Sequence, residues 1–543
     1  MMNFERGSIS VFLLLTFINL FSSVAQSADL VNVPIDHEVY LFIDRLAAKG
    51  ILPVGVQASR PLSRGRVADL LIEISRRFEA GELSLSNIEQ AHLKAYSRIF
   101  AQEFRKRGIN VTPQQERKYF FTLEDTEYTL NIQPGLQQRT VIQQSDAFAK
   151  PSQKSERDGT EIIFIQPTIF GEIEEKFVYN TDFKWGPLIS GERYIPRPSE
   201  SIYSNGDFKQ VATLKAYTKI GWHGLSLELG KDDLWWGPGR HGALMLSDNT
   251  DSKDLLKFDG IMGPFKLAAF TAALRSKLGN KYLSGNRLEM NFPDWLTLAL
   301  HETIIYADRF DLGYQNPFTI YPIALAMTEY GIEGGYGYSG DNMLVGGDFN
   351  IRIFPNIELY SEFMLDDYYT EGGLLQHLRG WDTKFGFLLG AYYVDPFNFK
   401  DTDLRIEYAF VNQYAYTHES SINAYTNRER VIGHHIGPDA DDFWIELKYR
   451  FNDKIQTSLA YELLRHGEGN IDKPHQPTDA EEWEFLSGIT ESTHSLSLRL
   501  SYLSIGNYSF SANYNYSWIK NSKHQLSVDD SKQQLVVEAE YIF

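Results

Sequence analysis

The last nine residues, Leu535 to Phe543, constrain this chain more than any other stretch. Leu535, Val537, Ala539, Tyr541 and Phe543 share one face of an extended strand, and Val536, Glu538, Glu540 and Ile542 share the other. An apolar face, a charged face and a final aromatic residue together make the pattern of the strand that closes an outer-membrane β-barrel. A soluble sheet seldom leaves such a strand at its edge, because a free apolar edge recruits other chains.

The first residues agree with the last. Arg6 supplies a short charged region, Ser10 to Phe21 is apolar, and Ser23-Val24-Ala25 or Ala25-Gln26-Ser27 offers small residues for cleavage. Residues 1–25 are therefore expected to be a signal peptide; the apolar run is too short for a spanning helix. Beyond it no apolar run of about 18 residues occurs, and mean hydropathy is −0.32. A membrane protein of this composition must be a barrel, because closed strands satisfy their backbone without long apolar runs. Cysteine is absent, which suits export through an oxidising compartment. Aromatic residues make up 14%, with 31 Tyr and 35 Phe, enough for two aromatic girdles.

Charge divides the chain. Residues 29–118 carry 14 basic and 11 acidic residues, whereas residues 119–543 carry 37 and 59. An acidic barrel argues against nucleic acid as a partner and leaves any anionic ligand to local basic clusters. The same division follows the hydrophobic period. Residues 29–110 read as a helical periplasmic module. Asp36 can cap a first helix carrying Val39, Phe42, Ile43 and Leu46. Ser63 can start a second, with Val67, Leu70, Leu71, Ile74 and Phe78 on one face. Ser86 to Glu89 is a capping box for a third, with Leu93, Tyr96, Phe100 and Phe104. The module reads equally as a contact surface for a polysaccharide export apparatus and as a plug or rim support.

Residues 118–543 read as the barrel, because there the period becomes two. Leu225, Leu227 and Leu229 alternate with Ser226, Glu228 and Gly230; Phe443 to Phe451 and Leu496 to Tyr502 behave alike. The polar face carries both signs of charge, as a hydrated lumen would. Phe354-Pro355-Asn356 and Asn452-Asp453-Lys454 read as tight periplasmic turns, and Tyr416 to Asp442 and His466 to Glu484 as extracellular loops. At roughly 20 to 25 residues per strand and loop, the expectation is an all-β transmembrane barrel of about 16 to 20 antiparallel strands. A soluble sandwich of this length would be unusual.

One motif is specific. Residues 231–249 contain Asp232-Asp233-Leu234-Trp235-Trp236-Gly237-Pro238-Gly239-Arg240-His241 and end in Ser247-Asp248-Asn249. This segment resembles the signature of the capsule assembly protein Wzi family, and the order of signal peptide, helical bundle and barrel resembles that family across the mature chain. The resemblance implies an outer-membrane barrel of about 18 strands, with loops that largely block its pore. It also implies lectin-like binding that holds capsular polysaccharide at the cell surface.

Read physically, Gly237-Pro238-Gly239 forces a turn. Trp235 and Trp236 face opposite sides of an extended chain, so that one can sit at the lipid interface while the other points inward. An inward Trp beside Arg240 and His241 is a candidate glycan platform, since an aromatic face packs on a sugar ring and an Arg forks onto a uronate. The alternative is that both Trp residues are structural and that Arg240 pairs with Asp232 or Asp233. Arg428 and Arg430 are further glycan candidates, in a loop with His434, His435, Asp439, Asp441 and Asp442 whose charges can equally pair among themselves. Metal capture by His434 and His435 is disfavoured, because adjacent side chains point apart. Arg193, Tyr194 and Arg197, Tyr314-Gln315-Asn316, and Gly334 to Tyr338 are weaker glycan candidates, readable also as turns and girdle aromatics.

No nucleophile motif accompanies His301-Glu302 or His418-Glu419, and no phosphate loop or His-Glu-x-x-His is present. The sequence therefore predicts a non-enzymatic, monomeric barrel without metal or cofactor. Its partners would be capsular or exopolysaccharide and outer-membrane lipid; a diffusion porin or substrate-specific channel is the competing reading.

Overall fold

The computed structural model describes residues 30–109, 119–125, 127–145, 156–174, 176–191, 194, 196–205, 208–222, 224–329, 340–366, 383–476, 478–480 and 482–543. The expected signal segment, residues 1–25, Arg193 and the Gly334 to Tyr338 run lie outside them. The barrel wall is a ring of 18 antiparallel strands. It begins with Gly135–Ser145, and Asp530–Ile542 closes it by pairing with that first strand from Lys532 against Ser145 to Ile542 against Gly135. The seam is tied inside by Glu538, which accepts from Arg139 at 2.7 Å and from Arg197 at 2.7 Å. No helix among the described residues is long and apolar enough to cross a membrane.

Alternation places the side chains as a barrel requires. Along Leu225–Asp232, Leu227 and Leu229 are exposed on the outer surface, while Ser226 and Glu228 are buried inside. Both expected tight turns form. Asn356 adopts φ 70° between Asn342–Phe354 and Ile357–Asp366, and Asn452 Oδ1 accepts from the N–H groups of Lys454 and Ile455 at 2.8 and 2.9 Å. Three short strands, Phe121–Glu124, Tyr128–Gln133 and Thr168–Ile173, extend the wall at this short-turn end.

Four helices cover the same end: Val39–Ala48, Arg64–Glu79, Asn87–Ile99 and Ala101–Lys106. Ser63 caps the second by accepting from Arg66 N–H, and Ser86 with Glu89 completes both arms of the capping box. Asp36 does not cap the first helix. Its N-cap is Glu38, which makes no side-chain cap bond. The third expected helix breaks at Phe100, yet Phe100 and Phe104 stay on the buried face. The apolar stripes meet in a core containing Ile43, Leu46, Val67, Leu71, Ile74 and Leu93.

This bundle docks on the tight turns. Arg45, almost fully buried, bonds Glu89 at 2.8 Å, Asp395 at 2.6 Å and the Thr402 carbonyl at 3.1 Å, and also pairs with Asp403. Ser86 Oγ bonds Asp401 at 2.7 Å, and a His92 ring nitrogen bonds the Asp453 carbonyl at 2.9 Å. Because that carbonyl can only accept, His92 Nε2 carries the proton.

The long-loop end departs from expectation. Tyr416 to Asp439 does not extend into solvent: it folds into the lumen, where Tyr416, Tyr425, Ile432 and Ile436 are buried. They pack with Leu244, Met245 and Leu246 from the Trp-Trp-Gly-Pro-Gly segment and with inward wall residues such as Phe270, Leu344, Met364 and Leu388. One side of the barrel thus has a hydrophobic core inside it.

Candidate functional site

The motif begins where Leu225–Asp232 leaves the wall. Asp232 accepts from Asn32 Nδ2 at 2.8 Å, and Asp233 pairs with Lys215 at 2.7 Å and accepts from Ser252 Oγ at 2.6 Å. Neither pairs with Arg240. Trp235 and Trp236 then form a two-residue ladder with Ser59 and Arg60. The Trp235 indole N–H donates to the Gly237 carbonyl at 2.9 Å, and the Arg60 guanidinium lies 5.1 Å from its ring centre. Trp236 sits edge-on to Phe270 at 5.2 Å and parallel to His301 at 6.4 Å. The two rings do face opposite ways, but both sides are protein. Neither reaches lipid and neither presents a free face to a sugar, since both are buried. They anchor the segment inside the barrel.

The glycines follow from close approach. Gly237 has φ 132°, and a Cβ there would lie 2.2 Å from Glu362 Oε1. At Gly242 a Cβ would lie 2.4 Å from the His434 ring. Two wall carboxyl groups then take up backbone donors that no ladder satisfies. Glu362 accepts from Gly239 N–H at 2.9 Å and Leu244 N–H at 2.7 Å. Glu407 accepts from Arg240 N–H at 2.6 Å, His241 N–H at 2.8 Å and the Tyr360 hydroxyl at 2.6 Å. The second lumen loop grips the first from above: Tyr416 Oη donates to the Leu244 carbonyl at 2.6 Å and Tyr425 Oη to the Met245 carbonyl at 3.0 Å.

On this support Arg240 and His241 face the lumen, each partly exposed. The Arg240 guanidinium has no hydrogen bond or ion pair among the described residues; its charge, after burial, helps push the Arg60 pKa down to about 10. The His241 ring stacks on Trp444 at 4.9 Å, with 6° between planes. Its Nε2 lies 3.2 Å from Glu462 and 3.6 Å from Asp442. Enclosure works against its charged form, but the Glu462 hydrogen bond and the Asp442 charge outweigh it, so its pKa lies above the ordinary imidazole value. His435 meets the His241 ring edge-on at 4.8 Å, and enclosure holds its pKa below the ordinary value.

The other expected candidates separate. Arg428 is tied to Asp251 at 3.2 Å and to Ser201 Oγ at 2.5 Å, whereas Arg430, in a small hairpin with Asn427, has no side-chain partner among the described residues. The acidic run does not pair with these two arginines. Asp439 accepts from Gly469 N–H and Ser487 Oγ, Asp441 pairs with Arg465 at 2.5 Å, and Asp442 faces the histidines. Tyr194 and Arg197 belong to the seam network with Arg139, Glu200 and Glu538. Tyr314 is buried, its hydroxyl 3.0 Å from Asp341. Glu362, Glu407, Trp444 and Glu462 were not distinguished in the sequence, where each is one inward residue of an alternating strand.

The sequence profile of the capsule assembly protein Wzi matches residues 129–534. The chain belongs to the capsule assembly protein Wzi family. No curated protein sequence matches it. Among solved structures it is similar to Wzi of Escherichia coli, an outer-membrane protein involved in group 1 capsule assembly and described as a carbohydrate-binding β-barrel. The identity is 13%, with 94% of this chain and 99% of that chain covered and a TM-score of 0.55. An outer-membrane protein and a porin match less well. OprD from Pseudomonas aeruginosa is 11% identical, covering 76% of this chain and 94% of its own, with a TM-score of 0.42. A BenF-like porin from Pseudomonas fluorescens Pf-5 is 8% identical, covering 76% and 99%, with a TM-score of 0.43. In this Wzi-family chain, the tryptophan pair is the root of a lumen loop, and the groups it delivers are Arg240 and His241.

Proposed function

We propose that this outer-membrane barrel holds capsular or exopolysaccharide at the cell surface by non-covalent glycan binding at its long-loop end. The observation that carries the reading is the family match across 129–534. Two features of the chain support it. The lumen is packed on one side by two loops with their own hydrophobic core, an arrangement unsuited to a wide diffusion pore. Arg240 and Arg430 keep guanidinium groups free of hydrogen bonds and ion pairs among the described residues, and these can fork onto uronate or other acidic groups of a polymer. His241 and Arg428 would flank them. Trp235 and Trp236 take the role of support and make no glycan contact. Each contact would be weak, and repetition along the polymer supplies the retention. No catalytic step is required.

The helices are a periplasmic module in this reading, since they cap the short-turn end. Their outer surface is the place for an export apparatus to dock, and one copy of the barrel suffices.

The test is the partition of polysaccharide between cells and medium in a strain lacking the protein, complemented by wild type or by Arg240→Ala with Arg430→Ala. Unchanged total polymer that shifts into the medium, restored by wild type and not by the double variant, supports the proposal. A normal partition in the deletion strain overturns it.

A further inference from the structure

Asp442 and Glu462, inside the lumen, make their ion pairs with histidine and none with Lys or Arg among the described residues. Asp442, on the strand Ala440–Arg450, is buried, and its Oδ1 has no hydrogen-bond partner. Glu462, on the adjacent strand Ile455–His466, faces the same point. The groups opposite them are imidazoles: His241 from the first lumen loop and His435 from the second. His241 Nε2 lies 3.2 Å from Glu462 and 3.6 Å from Asp442, and His435 Nε2 lies 3.9 Å from each. The four donor atoms fall within 4.8 Å of one another.

We propose that His241, His435, Asp442 and Glu462 form a site for one divalent transition-metal ion, best fitted to zinc, that staples both lumen loops to the barrel wall. Donor chemistry selects the class. Two imidazole nitrogens with two carboxylate oxygens suit zinc and its neighbours, whereas calcium and magnesium take oxygen ligands. Spacing agrees. A tetrahedral ion with bonds of about 2.0 Å holds its ligand atoms roughly 3.3 Å apart, so the closest contacts stand at ligand spacing and the wider ones close by side-chain rotation. Charge agrees too, since the ion displaces any imidazole proton on binding and its two positive charges match the two carboxylates.

The site is also held in place before any ion arrives. Trp444 stacks flat on His241, Glu407 fixes the His241 backbone, and the His434 ring lies against Gly242, locking the two loops together beside the donors. Asp442 side-chain exposure is 3%, against 24–30% for Glu462, His241 and His435, so an ion can reach three donors from lumen water and meet a buried fourth. The ligand set reunites chain segments up to 221 residues apart. That is why adjacent His434 and His435 gave no such signal: only one of them contributes, and its partners come from elsewhere. The inference needs no glycan and stands apart from the proposed function.

The experiment uses the full mature protein without a histidine tag, folded in detergent and stripped with EDTA, and titrates it with Co2+ and then Zn2+. One equivalent of Co2+ with the strong visible absorption of a four-coordinate N/O site, displaced by one equivalent of Zn2+, is expected. His435→Gln and Glu462→Gln should each weaken binding by on the order of 100-fold, while His524→Gln, distant from the cluster, should not. Heat-modifiable gel mobility verifies that each variant is a folded barrel. Absence of stoichiometric binding by the folded wild-type protein overturns the proposal, as does unchanged affinity in both ligand variants.

Discussion

Replacing Glu407 should free the first lumen loop without breaking the barrel. Its carboxyl group accepts from Arg240 N–H, His241 N–H and Tyr360 Oη at 2.6–2.8 Å. Glu407→Leu strands three donors, two of them backbone groups that cannot turn away. A buried donor left without an acceptor costs about 1–3 kcal/mol, and lumen water can reach part of the loop, so the expected loss is about 3–5 kcal/mol of loop docking. At 1.4 kcal/mol per tenfold, loop opening should increase on the order of 100-fold or more. The chain has no cysteine, so a single Met245→Cys reports opening through its maleimide labelling rate; Met245 is fully buried while the loop is docked. Glu407→Gln keeps one acceptor oxygen and should give a smaller increase. A heat-modifiable Glu407→Leu barrel that labels no faster than its parent would refute the reasoning, because the apolar contacts around Leu244 and Met245 would then hold the loop alone.

Gly242→Ala should open the interface between the two lumen loops, since its Cβ would meet the His434 ring at 2.4 Å; a cost of about 1–3 kcal/mol should show as faster protease cleavage in both loops. Arg45→Met leaves Asp395 without its cation, Glu89 with Lys49 alone and Asp403 with Arg450 alone, so the helical bundle should dock less firmly by about 1–3 kcal/mol, seen as faster proteolysis of residues 30–109 from an intact barrel. Burial lowers the His92 pKa, so the unfolded chain takes up a proton there that the folded chain refuses. Bundle docking should therefore weaken as pH falls below about 6.5 and hold steady above it, and His92→Gln should flatten that dependence in thermal melts.

The wall was legible because lipid outside and water inside impose opposite demands on alternate residues. Leu227 and Glu228 could hardly be placed otherwise, and the terminal alternation located the seam strand before Arg139 and Arg197 revealed how it is tied. Capping chemistry at Ser63 and Ser86 is local, and it too was readable. The lumen loops were not. A run such as Tyr416 to Asp442 looks polar enough for solvent when its partners are unknown, and its burial depends on a segment 172 residues earlier. The tryptophan pair misled for the same reason. Opposite faces of a strand mean lipid and water in the wall, but for a segment that has left the wall both faces meet protein. Where inward wall residues are apolar, as in Ala268, Phe270 and Ala272, alternation fades, and that fading is the trace the buried loops leave in the sequence.

The packed interior bears on the cell envelope as a whole. A bare ring of this circumference would have a bore wide enough for nutrients and antibiotics to diffuse through. Here two loops occupy part of that bore at one end and four helices sit beneath it at the other. Each copy displayed at the surface therefore adds less open bore than a bare ring of the same circumference would.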